Sequence, residues 1–413
     1  MTEKLVPHGV SRRSFLRNVA SVALVHSAIG RAQSGSSSSR TNSIRAYVGT
    51  YTGVPGSGSN GEGIYLFAMN ASTGELTERR LVARAPNPSW IVLHPTRRFL
   101  YAVNEVSDYR AGAGSLSSFA IDAATGDLRA LNTVSSEGGD PAHVSIDATG
   151  RFAFVANYGG GSIAVLPILA DGSLGAAVDL HRDVGSVGNL QPHDSPTGSF
   201  AFSGHDAPHA HMICADLANK FVLATDLGQD RIYSYRFDPV TGKLTPSSDR
   251  AFVTLPPGDG PRHFAFHPGG HWLFAIQEES STITTFAYDP ATGTLTARHT
   301  VSALPAGFAG SSFASEILVS GNGKFLYAAN RLHDSIAAFG LEEDGALRSL
   351  GEASTMGDYP GQCRIDPSGS FLFACNRRSD SITAFSIHPD TGMLTFTGRY
   401  AAVGSPACIT FAT

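Results

Sequence analysis

At 413 residues, 42% hydrophobic and only 16% charged, the chain has ample apolar material for a large core. Its net charge of -5 and the lack of any basic stripe argue against a nucleic-acid binder. Its 4 cysteines show no CxxC spacing and give no metal or redox motif.

The first residues read as an address. Ser11-Arg12-Arg13-Ser14-Phe15-Leu16-Arg17 precedes an apolar run from Val19 to Ile29 and small residues around Ala28 to Ala32. This is the pattern of a twin-arginine export signal over residues 1–33. The apolar run is too short for an ordinary transmembrane helix. No stable membrane insertion is therefore expected. The implied partner is the twin-arginine (Tat) export machinery, and the mature chain is expected to be periplasmic or extracellular. Residues 34–43 form a Ser-rich spacer.

From Ile44 to the end the sequence repeats, with a period of roughly 45 to 55 residues, in the range of propeller blades. Each unit carries four short segments rich in Val, Ile, Phe and Tyr, punctuated by Gly, Asp and Pro, which is a strand signal. Opening segments recur as Pro88-Ser89-Trp90-Ile91-Val92-Leu93, Pro141-Ala142-His143-Val144, His211-Met212-Ile213-Cys214, Arg262-His263-Phe264-Ala265-Phe266, Ser315-Glu316-Ile317-Leu318 and Gln362-Cys363-Arg364-Ile365. Second segments recur from Phe99, Phe152, Phe221, Trp272, Phe325 and Phe371. An Asp-x-x-Thr-Gly-x-Leu turn joins the third and fourth segments at Asp122 to Leu128, Asp238 to Leu244 and Asp289 to Leu295, with a variant at Pro389 to Leu394.

Six units are complete. The first, from Ile44, lacks its opening strand, while the chain ends in an opening strand, Ser405 to Phe411, without the rest. The expected fold is therefore all-β, a seven-bladed β-propeller of four-stranded antiparallel blades. The C-terminal strand would close the ring in the N-terminal blade, and closure removes free sheet edges.

Loop lengths select a working face. Turns between segments one and two, and between three and four, are short. The long connections, Thr50 to Gly61, Glu105 to Gly114, Val184 to Pro208 and Leu304 to Ser312, all emerge on the other face. Starts of first strands and ends of second strands reach that face nearest the central channel. They supply His143, His209, His211, Arg262, His263, Glu316 and Gln362, then Glu105, Tyr158, Glu278, Arg331 and Arg377. Arginines and acids among histidines suit an anionic or carbonyl-bearing small molecule. Arg262 and Glu278 could equally form a structural ion pair, and His143 and His263 could simply fill the channel. His209 and His211, spaced as HxH on a strand, would share a side. No third ligand cluster accompanies them, so no metal or other cofactor is expected. Cys363 and Cys375 lie on paired strands where a disulfide is conceivable, but buried free thiols are favoured.

The chain resembles the seven-bladed lactonase family, which includes propeller-type 6-phosphogluconolactonases and fungal carboxy-muconate cyclases. The resembling motifs are Pro208-His209-Ala210-His211, Thr225-Asp226-Leu227-Gly228, Gly260-Pro261-Arg262-His263, Ser315-Glu316-Ile317 and Ala329-Asn330-Arg331-Leu332-His333-Asp334. The resemblance implies a lactone substrate and an active site of His209 or His211, Arg262, Glu278 and Arg331; His143, His263, Glu316 and Arg377 are expected around the substrate from their places at the channel mouth. One departure is that blade seven opens with Tyr359-Pro360-Gly361-Gln362-Cys363 where many relatives carry an Arg.

The expected reaction is hydrolysis of a sugar-derived lactone by water activated by a His or Glu278, with arginines on the carbonyl and anionic groups. Without a Gly-x-Ser-x-Gly elbow, a serine acyl-enzyme is not expected. The alternatives are a muconate-type cyclase and a noncatalytic binding propeller, the latter calling for exposed aromatics such as Tyr51, Tyr109 and Phe308.

Overall fold

In a computed structural model, residues 43–53, 59–193, 195, 201–202, 204–247 and 251–413 are described. The twin-arginine segment and nearly all of the spacer lie outside them. Ser43, expected in the spacer, instead opens a strand, Ser43–Thr50, and pairs with Asn70. Pairing with Asn70 continues the sheet one residue further toward the N-terminus.

Seven antiparallel sheets form the ring. The innermost strands, numbered by blade, are Pro406–Ala412 in blade 1, Ile91–Leu93 in blade 2 and Pro141–Ile146 in blade 3. Blades 4 to 7 begin with Ala210–Ala215, Pro261–Phe266, Phe313–Val319 and Pro360–Ile365. Each touches the next in a closed circuit. As expected, Pro406–Ala412 pairs with Ser43–Thr50, so the last strand completes the first blade. Blade 4 departs from four strands: Leu244–Pro246 and Phe252–Thr254 both pair with Arg231–Phe237, dividing the outer strand into two pieces.

The apolar core lies between blades. Second strands such as Phe99–Asn104 and Phe221–Asp226 are buried throughout, as sheets covered on both faces require. A glycine in the turn between third and fourth strands, most often after Thr, packs on the preceding blade. Gly293 adopts φ 74°, and a Cβ there would stand 2.4 Å from Phe221 of blade 4. The same turn places Gly242 on Phe152 and Gly392 on Phe325, and an Asp-Gly turn in blade 3 places Gly172 on Phe99. Both the left-handed backbone and the aromatic contact demand glycine.

The four cysteines are free. Cys375 pairs with Gln362, and Cys363 with Ala374, so the two thiols are not opposite one another.

Candidate active site

The inner strands share an irregularity at their channel-facing start. In blades 3, 4, 5 and 7 the register skips one residue, Ala142, His211, Arg262 and Gly361 respectively. Ala407 is skipped likewise in blade 1. A bulge breaks the strict alternation of faces, and these residues line one pocket of about 220 Å³ at the channel mouth, together with Ser89 of blade 2.

A second ring comes from the residue that ends each second strand. Tyr51, Glu105, Tyr158, Glu278 and Arg377 each donate a backbone N–H to the carbonyl just before an inner strand, at Ser405, Asn87, Asp140, Gly260 and Tyr359. Arg331 holds the matching place in blade 6, paired with Phe313. All six line the pocket. The equivalent residue of blade 4, Leu227, does not.

The residues after the bulge form the floor. Trp90 and His263 line the pocket from below. His143 is 3% exposed and packs on Trp90 with ring centroids 4.5 Å apart, closing the channel rather than facing the cavity. Glu316, 5% exposed, lies under His263, and Gln362 accepts a hydrogen bond from Ile409 N. His143 and Glu316, expected beside the substrate, do not line this pocket and lie one layer below it.

The charged centre lies over blades 5 and 6. Glu278 Oε2 is 2.9 Å from Arg262 Nε and 2.6 Å from Arg331 Nη2. The Arg262 Nε–H is poorly aligned, so that contact acts as an ion pair more than a hydrogen bond. Arg262 Nη1 donates to the Ser315 carbonyl, leaving Nη2 without a partner among the described residues. Arg331 is held by the Phe313 and Ala314 carbonyls and by the Tyr359 hydroxyl. Burial lowers the Arg262 pKa, and Arg331 lowers it further, while Glu278 opposes both. Burial lowers Arg331 as well, but Glu278 together with Tyr359 and Tyr51 outweighs it and the pKa is raised.

The two histidines of the HxH motif part company. His209 precedes its strand, donates Nδ1–H to the Tyr158 carbonyl, has Nε2 3.0 Å from Asp206 Oδ1, and stacks on Tyr158 at 4.2 Å. It does not line the pocket. His211, the bulge residue, does, and neither of its ring nitrogens has a partner among the described residues. Burial, then Arg262, push its pKa well below the usual value, so it is a neutral imidazole. The bulge thus breaks the same-side premise of a shared metal, and among the described residues no group of three possible ligands forms.

Sequence reasoning placed Tyr51 as an exposed aromatic. Instead it lines the pocket, donates to Glu105 Oε2 at 3.0 Å and carries Arg377 over its ring at 3.6 Å. Burial raises the Glu105 pKa. Tyr109 and Phe308 are half-buried and pack beside Arg110 and His333. Ser89 and Trp90 were missed as pocket residues, although Pro88-Ser89-Trp90 aligns with Pro261-Arg262-His263 in the repeat. Tyr359 sits at φ 63° with Arg378 at 3.8 Å over its ring.

The chain as a whole is similar to known proteins. The family described as Lactonase, 7-bladed beta-propeller fits residues 45–411. The chain belongs to this family. It is 33% identical over 366 residues to a 6-phosphogluconolactonase of Bacillus subtilis, covering 88% of this chain and 97% of the relative. A 6-phosphogluconolactonase of Formosa agariphila is 30% identical over 325 residues, 78% of this chain and 86% of that one. Among solved structures, the periplasmic gluconolactonase of Pseudomonas aeruginosa superposes with TM-score 0.79 at 30% identity, covering 90% of this chain and 99% of that one.

Proposed function

We propose that this pocket hydrolyses a sugar-derived lactone. The observation that carries the mechanism is the state of His211: the pocket imidazole with no bonded ring nitrogen among the described residues. A neutral imidazole of this kind accepts a proton from water as that water attacks the lactone carbonyl carbon. The developing oxyanion is met by the unpartnered Nη2 of Arg262, and Arg331 holds a second oxygen of the substrate. The ring C–O bond then breaks, and its oxygen takes the proton from His211, leaving the open hydroxy acid. Glu278, between two guanidiniums, orients them and is a poor base.

The substrate's body has room on the opposite side, where Gly361, Ala407, Ser89 and Ala142 are small. Tyr51, Glu105 and Arg377 border that side and suit hydroxyl and anionic groups. The family names favour a gluconate-derived lactone, with or without phosphate.

The test is hydrolysis of sugar δ-lactones, phosphorylated and not, followed by acid release above the uncatalysed rate. His211→Asn should lower kcat by about 10²- to 10⁴-fold, the usual span for a general base. Unchanged turnover in that variant would remove His211 from the reaction. We also propose export through the signal at Arg12-Arg13, in keeping with the periplasmic name of the Pseudomonas relative. Arg12→Lys with Arg13→Lys should leave the protein in the cytoplasm, as read by cell fractionation; continued export would refute it.

A further inference from the structure

Beneath Arg262 lies a contact that the reaction above does not use. The His263 side chain is 1% exposed, with Nδ1 3.0 Å from Glu316 Oε1 and Nε2 3.3 Å from Arg262 Nη1. A guanidinium has only N–H groups to offer, so the second contact is favourable only when Nε2 carries the lone pair. The ring hydrogen then sits on Nδ1, where Glu316 accepts it. Both ends of the imidazole call for the same tautomer. Glu316 is itself fixed, since Ile317 N donates to the same Oε1 at 3.1 Å.

We propose that Glu316 and His263 form a relay that positions Arg262: Glu316 selects the Nδ1–H tautomer, and Nε2 then anchors the Nη1 edge of the guanidinium, leaving Nη2 to the substrate. This rests on the lactonase reading of the pocket and adds two residues to it, in a positioning role. It also makes the site sensitive to one proton. When the pair gains a proton from solvent, the carboxyl O–H donates to Nδ1 and the ring hydrogen sits on Nε2. Two N–H groups then face each other, and Arg262 loses its anchor.

The surroundings set where this occurs. His263 is faced by Arg262 and Arg331, by Glu278, and by the rings of His211 at 5.0 Å and His143 at 5.8 Å. Burial, then Arg262, hold its pKa well below the usual value, so the ring stays neutral and the contact with Glu316 is a hydrogen bond, not an ion pair. Glu316 is faced by Arg262 and Arg364 and by the thiols of Cys363, Cys375 and Cys408. Burial raises its pKa to about 7 against the pull of both arginines. The geometry places the relay; this value places its titration near neutrality.

Two variants of the full chain test it. His263→Phe keeps an aromatic ring in the channel floor and removes both nitrogens. It should lower kcat/KM by about 10²-fold, the scale of a small misplacement of a catalytic group, with the melting temperature little changed. Glu316→Gln keeps an acceptor for Nδ1–H and cannot titrate. It should lose several-fold in kcat/KM and flatten the acid limb that the parent shows near neutrality. His211 cannot supply that limb, because its own pKa lies well lower. The tautomer is read without substrate by two-bond proton–nitrogen spectra, with the His263 signals assigned by their loss in His263→Phe. The parent should show Nδ1–H above neutrality and Nε2–H below, and Glu316→Gln no change between them. Parent-like kcat/KM in His263→Phe, or an Nε2–H tautomer in mildly alkaline buffer, overturns the relay. If the parent hydrolyses no lactone, the hydrolase reading falls, and the tautomer alone decides the relay.

Discussion

Replacing Glu278 by Gln removes one negative charge from between two guanidiniums while keeping the side chain's shape. The three side chains are 9%, 12% and 11% exposed for Glu278, Arg262 and Arg331. Among the described residues no other carboxylate pairs with either arginine. A buried lysine could escape by losing its proton, but a guanidinium cannot. Leaving a buried charge uncompensated costs about 3–5 kcal/mol. This cluster opens on a pocket that water can enter, so the lower end, about 3 kcal/mol, is expected for Glu278→Gln. The assay is urea unfolding at low salt in a buffer without phosphate or sulfate, comparing midpoints at unchanged slope. A second signature separates charge from packing: inorganic phosphate should stabilise the variant more than the parent. Binding to the folded state contributes about 2.7 kcal/mol at a hundredfold excess over Kd. A variant with the parent's midpoint, and no extra gain from phosphate, would refute the account of Glu278 as the counter-charge of the site.

Glu316 gives a prediction on stability against pH. Its folded pKa is raised from 4.5 to about 7, so the folded state keeps this proton after the unfolded chain has lost it. Its contribution is fully present below about 4.5 and is lost as pH rises through about 7. At 1.36 kcal/mol per unit the loss is about 3 kcal/mol. Glu316→Gln should therefore gain on the parent by up to that amount between mildly acidic and mildly alkaline buffer; parallel stability curves would contradict it. At the blade lock, Gly293→Ala should destabilise the ring by at least about 2 kcal/mol, since a left-handed Cβ costs about 1–2 kcal/mol before it meets Phe221. A thermal shift within error of the parent would show that the lock yields.

Much of this was legible before any coordinates. The unit period, the missing first strand and the surplus last strand dictated a closed seven-bladed ring, because hydrogen bonding leaves a lone strand and a three-stranded blade no better use. The ends of second strands were also readable: Glu105, Tyr158, Glu278, Arg331 and Arg377 all line the pocket. These strands are regular, and position along a regular strand fixes height in the blade. Counting residues settled which groups could meet.

The tertiary structure decided what alternation could not. A single bulge at the head of the inner strands turns Arg262 and His211 into the pocket and drops His143 and Glu316 to the floor beneath it. It also divides His209 from His211, and it brings small residues, Gly361 and Ala407, to the side where a substrate's body fits. A bulge is set by how an inner strand meets its neighbours across the channel, so it leaves no periodic mark in one chain. The sequence determined how high in the ring each residue stands; only the packed ring decided which way it points.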